Sequence, residues 1–252
     1  MEAIIPFTCW NKEFYGGDSF LFYFPEKKLY VFDNHRLSLW CWLNKTINLE
    51  SEKPNLLYID RHIDFRCTDF DKRYKIFQEN RDSIYDLNIF REMLYETHSF
   101  GNLSNIDCGN FLAFASKINI FNRIFIFTEV SDYDDYLRRE TVNCANTPFD
   151  ISNISVFNNN ITSNLNAVFS YNENICLDID LDFFVTEVER VINYELLVNC
   201  VSIIKDNLSK VNIITIALSQ TYCGGEDKAI EILGYFTDAF DVKFKFDIFN
   251  QS

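Results

Sequence analysis

The 252-residue sequence has no run of 18 apolar residues, no C-x-x-C pair, no stretch rich in proline, glycine and serine, and only three histidines. Each absence excludes something. Without a long apolar run, no transmembrane helix is expected. The opening MEAIIPFTCWNKEFYGG has an acidic second residue and only a brief apolar patch, so no secretory signal is expected and a cytoplasmic protein is. The eight cysteines, at 9, 41, 67, 108, 144, 176, 200 and 223, are scattered, and some fall inside apolar patterns, as Cys176 and Cys200 do. They read as buried thiols rather than disulfides or zinc ligands, and the five N-x-S/T sequons are incidental. Lacking a linker or an internal repeat, residues 1–252 are expected to form a single domain. Basic residues are also scarce: 23 Lys and Arg stand against 37 Asp and Glu, a formal charge of −14. That balance argues against a nucleic-acid backbone or an anionic membrane surface as the main partner. It suits a cationic substrate or cationic metals, and equally serves solubility.

What the chain does have is apolar residues, 48% of the total, arranged as short strands alternating with helical patterns. The front reads as a hairpin: FLFYF (20–24), a turn at Pro25-Glu26-Lys27, then KLYVFD (28–33). HRLSLWCWL reads as a short helix and NLLYI as a strand. The spacing of Ile84, Leu87, Phe90, Met93 and Leu94 predicts a helix over 82–97. GNFLAFASKI reads as a helix capped by Asp107, and RIFIFTEV, ISVF and NICLDI as strands. The Asn-rich 158–166 reads as an exposed loop, 186–208 as a long helix, NIITIALS as a strand, GEDKAIEILGYFTDAF as a helix and 241–249 as an edge strand. Several strands are apolar throughout rather than alternating, so both of their faces are buried. The expected architecture is α/β, a largely parallel sheet flanked by helices in three layers, with an N-terminal hairpin.

In such sheets functional residues collect beyond the carboxyl ends of the strands. One strand ends in Asp33-Asn34-His35, the next in Asp60-x-His62-x-Asp64, a third in Asp178-x-Asp180-x-Asp182, and a fourth in Ser219-Gln220 before a Gly-Gly turn. Carboxylates gathered this way repel one another and raise each other's pKa unless a cation joins them. Asp60, Asp64, Asp178 and Asp180 carry four negative charges, which balance two divalent ions, and His35 and His62 add neutral nitrogens. A carboxylate-rich set with some imidazole favours Mn2+ or a similar ion over a thiolate zinc site. The alternate spacing of Asp60, His62 and Asp64 points all three the same way if the backbone stays extended. Two ions held so would supply a water-derived nucleophile at neutral pH.

The residues DRHID (60–64) and, much later, LDIDLD (177–182) resemble the paired metal-binding signatures of the ureohydrolases, the arginase and agmatinase group. The chain departs from an ordinary arginase: GGDHS is missing, and the second motif lacks the usual D-x-D-x-x-D-P ending. FDNHRLSLWCW, CGNFLAFA and IALSQTYCGG are closer to the branch called peptide arginases, and these landmarks span about residues 30 to 226. The resemblance implies an arginase-like fold and a dinuclear centre of two Mn2+. It also implies hydrolysis of arginine side chains in a ribosomally made precursor peptide, giving ornithine and urea. It places Asp60, His62, Asp64, Asp178 and Asp180 on the metal motifs, with His35 replacing a histidine supplied from an earlier loop. His98 is the histidine left to act as proton shuttle. The late glutamate that would hold the guanidinium has no clear counterpart; Glu226 and Asp182 are the candidates.

Other readings stand beside this one. ICLDIDLD also resembles the aspartate motif of haloacid-dehalogenase-type phosphatases, but that motif normally opens its domain and here it comes late. DNH and DRH resemble metallophosphoesterase motifs, but no G-N-H follows. An agmatinase- or deacetylase-like hydrolase with the same metals, or a silent metal-binding module that recognises a peptide, also fits the pattern. His98 could serve as a helix-dipole partner, Asp182 as a cap, and Arg61 and Arg66 as local balance for acidic charge.

Overall fold

The computed structural model describes residues 3–5, 20–46, 52–98, 101–130, 133, 136 and 151–243. Among these residues the main sheet has eight strands in the order β1-β2-β3-β10-β9-β4-β7-β8. Strands β1 (Ala3–Ile5), β2 (Leu21–Phe24) and β3 (Leu29–Phe32) form an antiparallel edge. From β3 onward through β10 (Val211–Ala217), β9 (Ile175–Asp180), β4 (Asn55–Ile59), β7 (Ile124–Phe127) and β8 (Ile154–Phe157) every pairing is parallel. A separate hairpin pairs β5 (Leu94–Thr97) with β6 (Gly101–Ser104). The expected N-terminal hairpin is present. Its turn is a short 3-10 segment with Pro25 first and Lys28 in the left-handed region, φ 51°.

The apolar strands are buried on both faces because successive side chains alternate between two helical layers. Leu57, Ile59, Ile175, Leu177 and Ile179 pack against helices 161–171, 194–206 and 226–239. Leu56, Tyr58, Cys176 and Ile213 pack against helices 37–46, 70–79 and 111–117. This is a three-layer α/β fold. Of the cysteines within the described residues, all are free, and only Cys108 is exposed; Cys9 and Cys144 lie outside them.

Four expected elements differ. The helix predicted over 82–97 is confined to Leu87–Glu92, with the Asp86 carboxylate accepting from the amides of Asn88 and Ile89. Met93 turns extended (ψ 109°), and the chain continues as β5, where Tyr95 is buried beneath the Arg73 guanidinium while Leu94 is exposed. The long helix expected over 186–208 begins only at Tyr194, capped by the Asn193 side chain, because Val185 and Ile192 form an isolated antiparallel bridge upstream. The expected loop 158–166 turns helical at Ile161, where Leu165 starts an inward apolar stripe with Val168 and Phe169. Asn110, not Asp107, occupies the cap position before helix 111–117; Asp107 instead accepts from Arg66 and Arg73. Of the edge strand expected at 241–249, residues 244–249 lie outside the described residues.

One feature of the topology places the site. Leaving β4 the chain moves toward β7, whereas leaving β9 it moves toward β10 on the opposite side. The carboxyl ends of β4 and β9 are therefore adjacent at a point where the winding reverses, the position at which open α/β sheets form a crevice.

Candidate metal centre

Asp60 follows β4, Asp180 ends β9, His35 sits between β3 and helix 37–46, and Asp182 lies in the 3-10 segment 181–184. Their ligand atoms converge. His35 Nδ1 lies 3.1 Å from Asp60 Oδ2, 3.4 Å from Asp64 Oδ2 and 3.1 Å from Asp180 Oδ2. On the other side of the same carboxylate, His62 Nδ1 lies 3.6 Å from Asp60 Oδ1 and 3.3 Å from Asp182 Oδ2. Among the described residues two groups could hold a metal ion, an inner one of His35, Asp60 and Asp64 and an outer one of Asp60, His62 and Asp182. Asp60 belongs to both, with one oxygen turned to each.

The loop carrying Asp60, His62 and Asp64 is not extended as the spacing suggested. The Asp60 carboxylate accepts from the His62 amide at 2.7 Å, and Asp64 adopts φ 49°. The resulting bend sends Asp64 back toward His35 and leaves His62 half-exposed on the outer side.

Burial and mutual charge strain this cluster. Burial and then the Asp60 charge push the Asp64 carboxyl up to about 8. Burial and the Asp180 charge push Asp182 up to about 7, and Asp180 is raised by burial and Asp60. Burial raises Asp60 too, but contacts with His35 and His62 outweigh it and hold Asp60 below its ordinary value. Contact with Asp182 and Asp60 takes His62 up to about 11. Burial alone would lower His35, yet the charges of Asp178 and Asp180 carry it well above its usual value. Within the cluster, three buried polar atoms have no hydrogen-bond partner: His35 Nδ1 and both carboxylate oxygens of Asp182. Repelling carboxylates, an imidazole nitrogen aimed among them and unsatisfied oxygens are together what a cation resolves.

The expected site residues divide accordingly. His35, Asp60, His62, Asp64 and Asp180 are brought together. Asp178, expected as a ligand, is not at the cluster: it sits behind His35, fully buried, with both oxygens engaged by neighbouring donors. Asp182, expected to anchor a guanidinium, instead faces His62. Glu226 is exposed at the start of helix 226–239. His98 is exposed at the turn of the β5–β6 hairpin, because the helix expected to lead into it ends six residues earlier. Neither lines the cavity described below. Arg61 and Arg66 do balance local acid, binding Glu129 and Asp107 respectively.

Further contributors had no role assigned from the sequence, although Ser219 stood out there as a strand-end residue. The Tyr58 hydroxyl donates to Asp60 at 2.5 Å and lies 3.1 Å from Asp64 Oδ2, and the Ser219 hydroxyl donates to Asp180 at 2.7 Å. Tyr58 had a signal, since it precedes Asp60 by two residues and so shares its face of the strand. A cavity of about 310 Å³ opens over the outer group, walled by Ile63, Val130, Tyr136 and Tyr222, with Arg66 and Cys108 also in its lining. The Tyr222 ring meets His62 edge-on at 5.7 Å.

No family model and no curated protein matches the chain. Among solved structures, the crystal structure of a protein from Legionella pneumophila str. Philadelphia 1, described with the family model DUF519, is similar over 82% of this chain and 75% of that one. The identity is 13% and the TM-score 0.39. Among the described residues no helix is long and apolar enough to cross a membrane.

Proposed function

We propose that the protein is a metal-dependent hydrolase that binds two Mn2+ and converts arginine side chains of a precursor peptide to ornithine and urea. The observation that carries the metal half of this reading is Asp60, whose two oxygens each join a separate histidine–aspartate group. The donor set fits: carboxylates and imidazoles with no thiolate suit Mn2+. His35, Asp60, Asp64 and Asp180 would hold one ion, and Asp60, His62 and Asp182 the other. When bound, the ions supply Lewis acidity and a water-derived nucleophile. The chain's own residues do the rest. Tyr58 and Ser219 fix the carboxylates in place. Ile63, Val130, Tyr136 and Tyr222 exclude water around the side chain that enters the cavity. Besides the Arg66 guanidinium, Cys108, Tyr136, Ser219 and Tyr222 are the protic groups in the lining outside the ligand set, and a departing amine would take its proton from one of those four or from solvent. The resemblance of DRHID and LDIDLD to the ureohydrolase motifs supports the choice of bond, and the net charge of −14 suits a cationic peptide.

A second reading is favoured by one observation. Among the described residues lining the cavity, every carboxylate belongs to the cluster, and Arg66 adds a positive charge to the wall. A neutral group such as an acylated lysine would meet less electrostatic resistance there than a guanidinium. The test is to incubate Mn2+-loaded protein with an arginine peptide and an acetyl-lysine peptide. Urea and ornithine from the first support the arginase reading; acetate from the second selects the alternative. Metal binding without either product leaves a recognition module.

A further inference from the structure

We propose that Asp178 is the positioning residue of this centre: it locks the His35 ring so that Nε2 carries the proton and Nδ1 is presented to the metal. The proposal rests on the metal-centre reading above. Asp178 lies inside β9, in register with Tyr58 of β4 on one side and Thr215 of β10 on the other. Its Oδ2 lies 2.6 Å from His35 Nε2, and its Oδ1 accepts from Ser38 Oγ and Thr215 Oγ1, each at 2.5 Å. With Oδ1 taken by two hydroxyl donors, Oδ2 is left to accept from the ring, so the shared proton belongs to Nε2.

The ring has no freedom to turn away. Tyr58 stacks parallel to it at 5.4 Å and Phe111 tilts against it at 4.6 Å. Nδ1 then points at Asp60, Asp64 and Asp180 with no hydrogen-bond partner of its own. A buried carboxylate behind a metal-binding histidine fixes its tautomer and makes it a better donor. Ser38 lies in the first turn of helix 37–46 and Thr215 belongs to β10, so the same carboxylate ties the ring to one helix and two strands. Asp178 is thus engaged by three neighbouring groups, and none of its contacts is with Asp60, Asp64 or Asp180.

The isosteric Asp178→Asn keeps the volume and removes the charge. Expected is a Mn2+ affinity lower by about 10- to 100-fold, the usual cost of losing such an outer partner, with cooperative thermal unfolding of the metal-free protein retained. Independently, 15N NMR of Zn2+-loaded wild type should show His35 protonated at Nε2 and coordinated through Nδ1. Wild-type affinity in Asp178→Asn, or coordination through Nε2, overturns the role of Asp178 and leaves the metal centre standing. A wild type that binds no divalent ion overturns the metal centre itself, and this role with it. If Asp178→Asn does not fold, Ser38→Ala combined with Thr215→Val strips Asp178 of two donors. That variant should bind Mn2+ several-fold more weakly, and unchanged affinity overturns the proposal.

Discussion

Asp60 is the residue on which the cluster depends. It is fully buried, receives the Tyr58 hydroxyl on one oxygen and the His62 amide on the other, and faces a histidine on each side. Removing its charge therefore disturbs both groups, whereas removing that of Asp64 disturbs only the inner one. For Asp60→Asn we expect loss of bound metal beyond the roughly 10- to 100-fold that an outer partner costs; Asp64→Asn should lose one ion and keep the other. Elemental analysis after desalting distinguishes them, and an Asp60→Asn protein with full metal content contradicts a shared carboxylate. At this scale the sequence was legible in composition and ambiguous in frame. Alternation put Asp178, Asp180 and Asp182 in one series, and periodicity alone does not say where a strand ends. Since β9 runs on to Asp180, Asp178 lies within the sheet, and Asp180 and Asp182 are the ones that emerge at the crevice.

At the scale of elements, the strands were the most readable parts because burial on both faces leaves an unbroken apolar run. Helix limits were less so, since competing local bonds set them. Residues 186–193 have a helical pattern, yet the Thr186 amide donates to the Val191 carbonyl at 2.8 Å and Arg190 turns to φ 50°, closing a loop instead. Helix 194–206 can then start only where Asn193 accepts from the Leu196 amide at 3.2 Å. Losing that cap in Asn193→Ala should cost about 1 kcal/mol. It should lower the unfolding temperature and leave metal affinity unchanged, as calorimetry and a Mn2+ titration would show. An equally stable variant would mean the bridge between Val185 and Ile192 alone fixes the start of the helix. The hairpin β5–β6 shows the same limit from the opposite direction: Leu94 fits a helical stripe by spacing, but only tertiary contact with Arg73 decides that Tyr95 is the buried neighbour.

For the molecule as a whole, the cluster links stability to pH and, on the proposed metal-centre reading, to metal. Asp64, held at about 8, and Asp182, at about 7, bind protons more tightly in the metal-free fold than in the unfolded chain, where carboxyls titrate near 4. The stabilisation from those protons is complete below about pH 4 and is lost as pH rises through 7 and 8. His62, held at about 11, acts in the same direction from about pH 6.5 upward. Asp60 has the opposite sign, because its value is lowered, but its effect falls below about pH 4. A divalent ion competes with the protons, so it binds better as they leave and stabilises the fold most where the metal-free protein is weakest. The unfolding temperature of chelator-treated protein should therefore fall between about pH 5 and pH 8.5, and the increment given by Mn2+ should grow over that interval. Differential scanning calorimetry at matched ionic strength measures both. An increment that stays constant or shrinks with rising pH would place the ion away from these carboxylates.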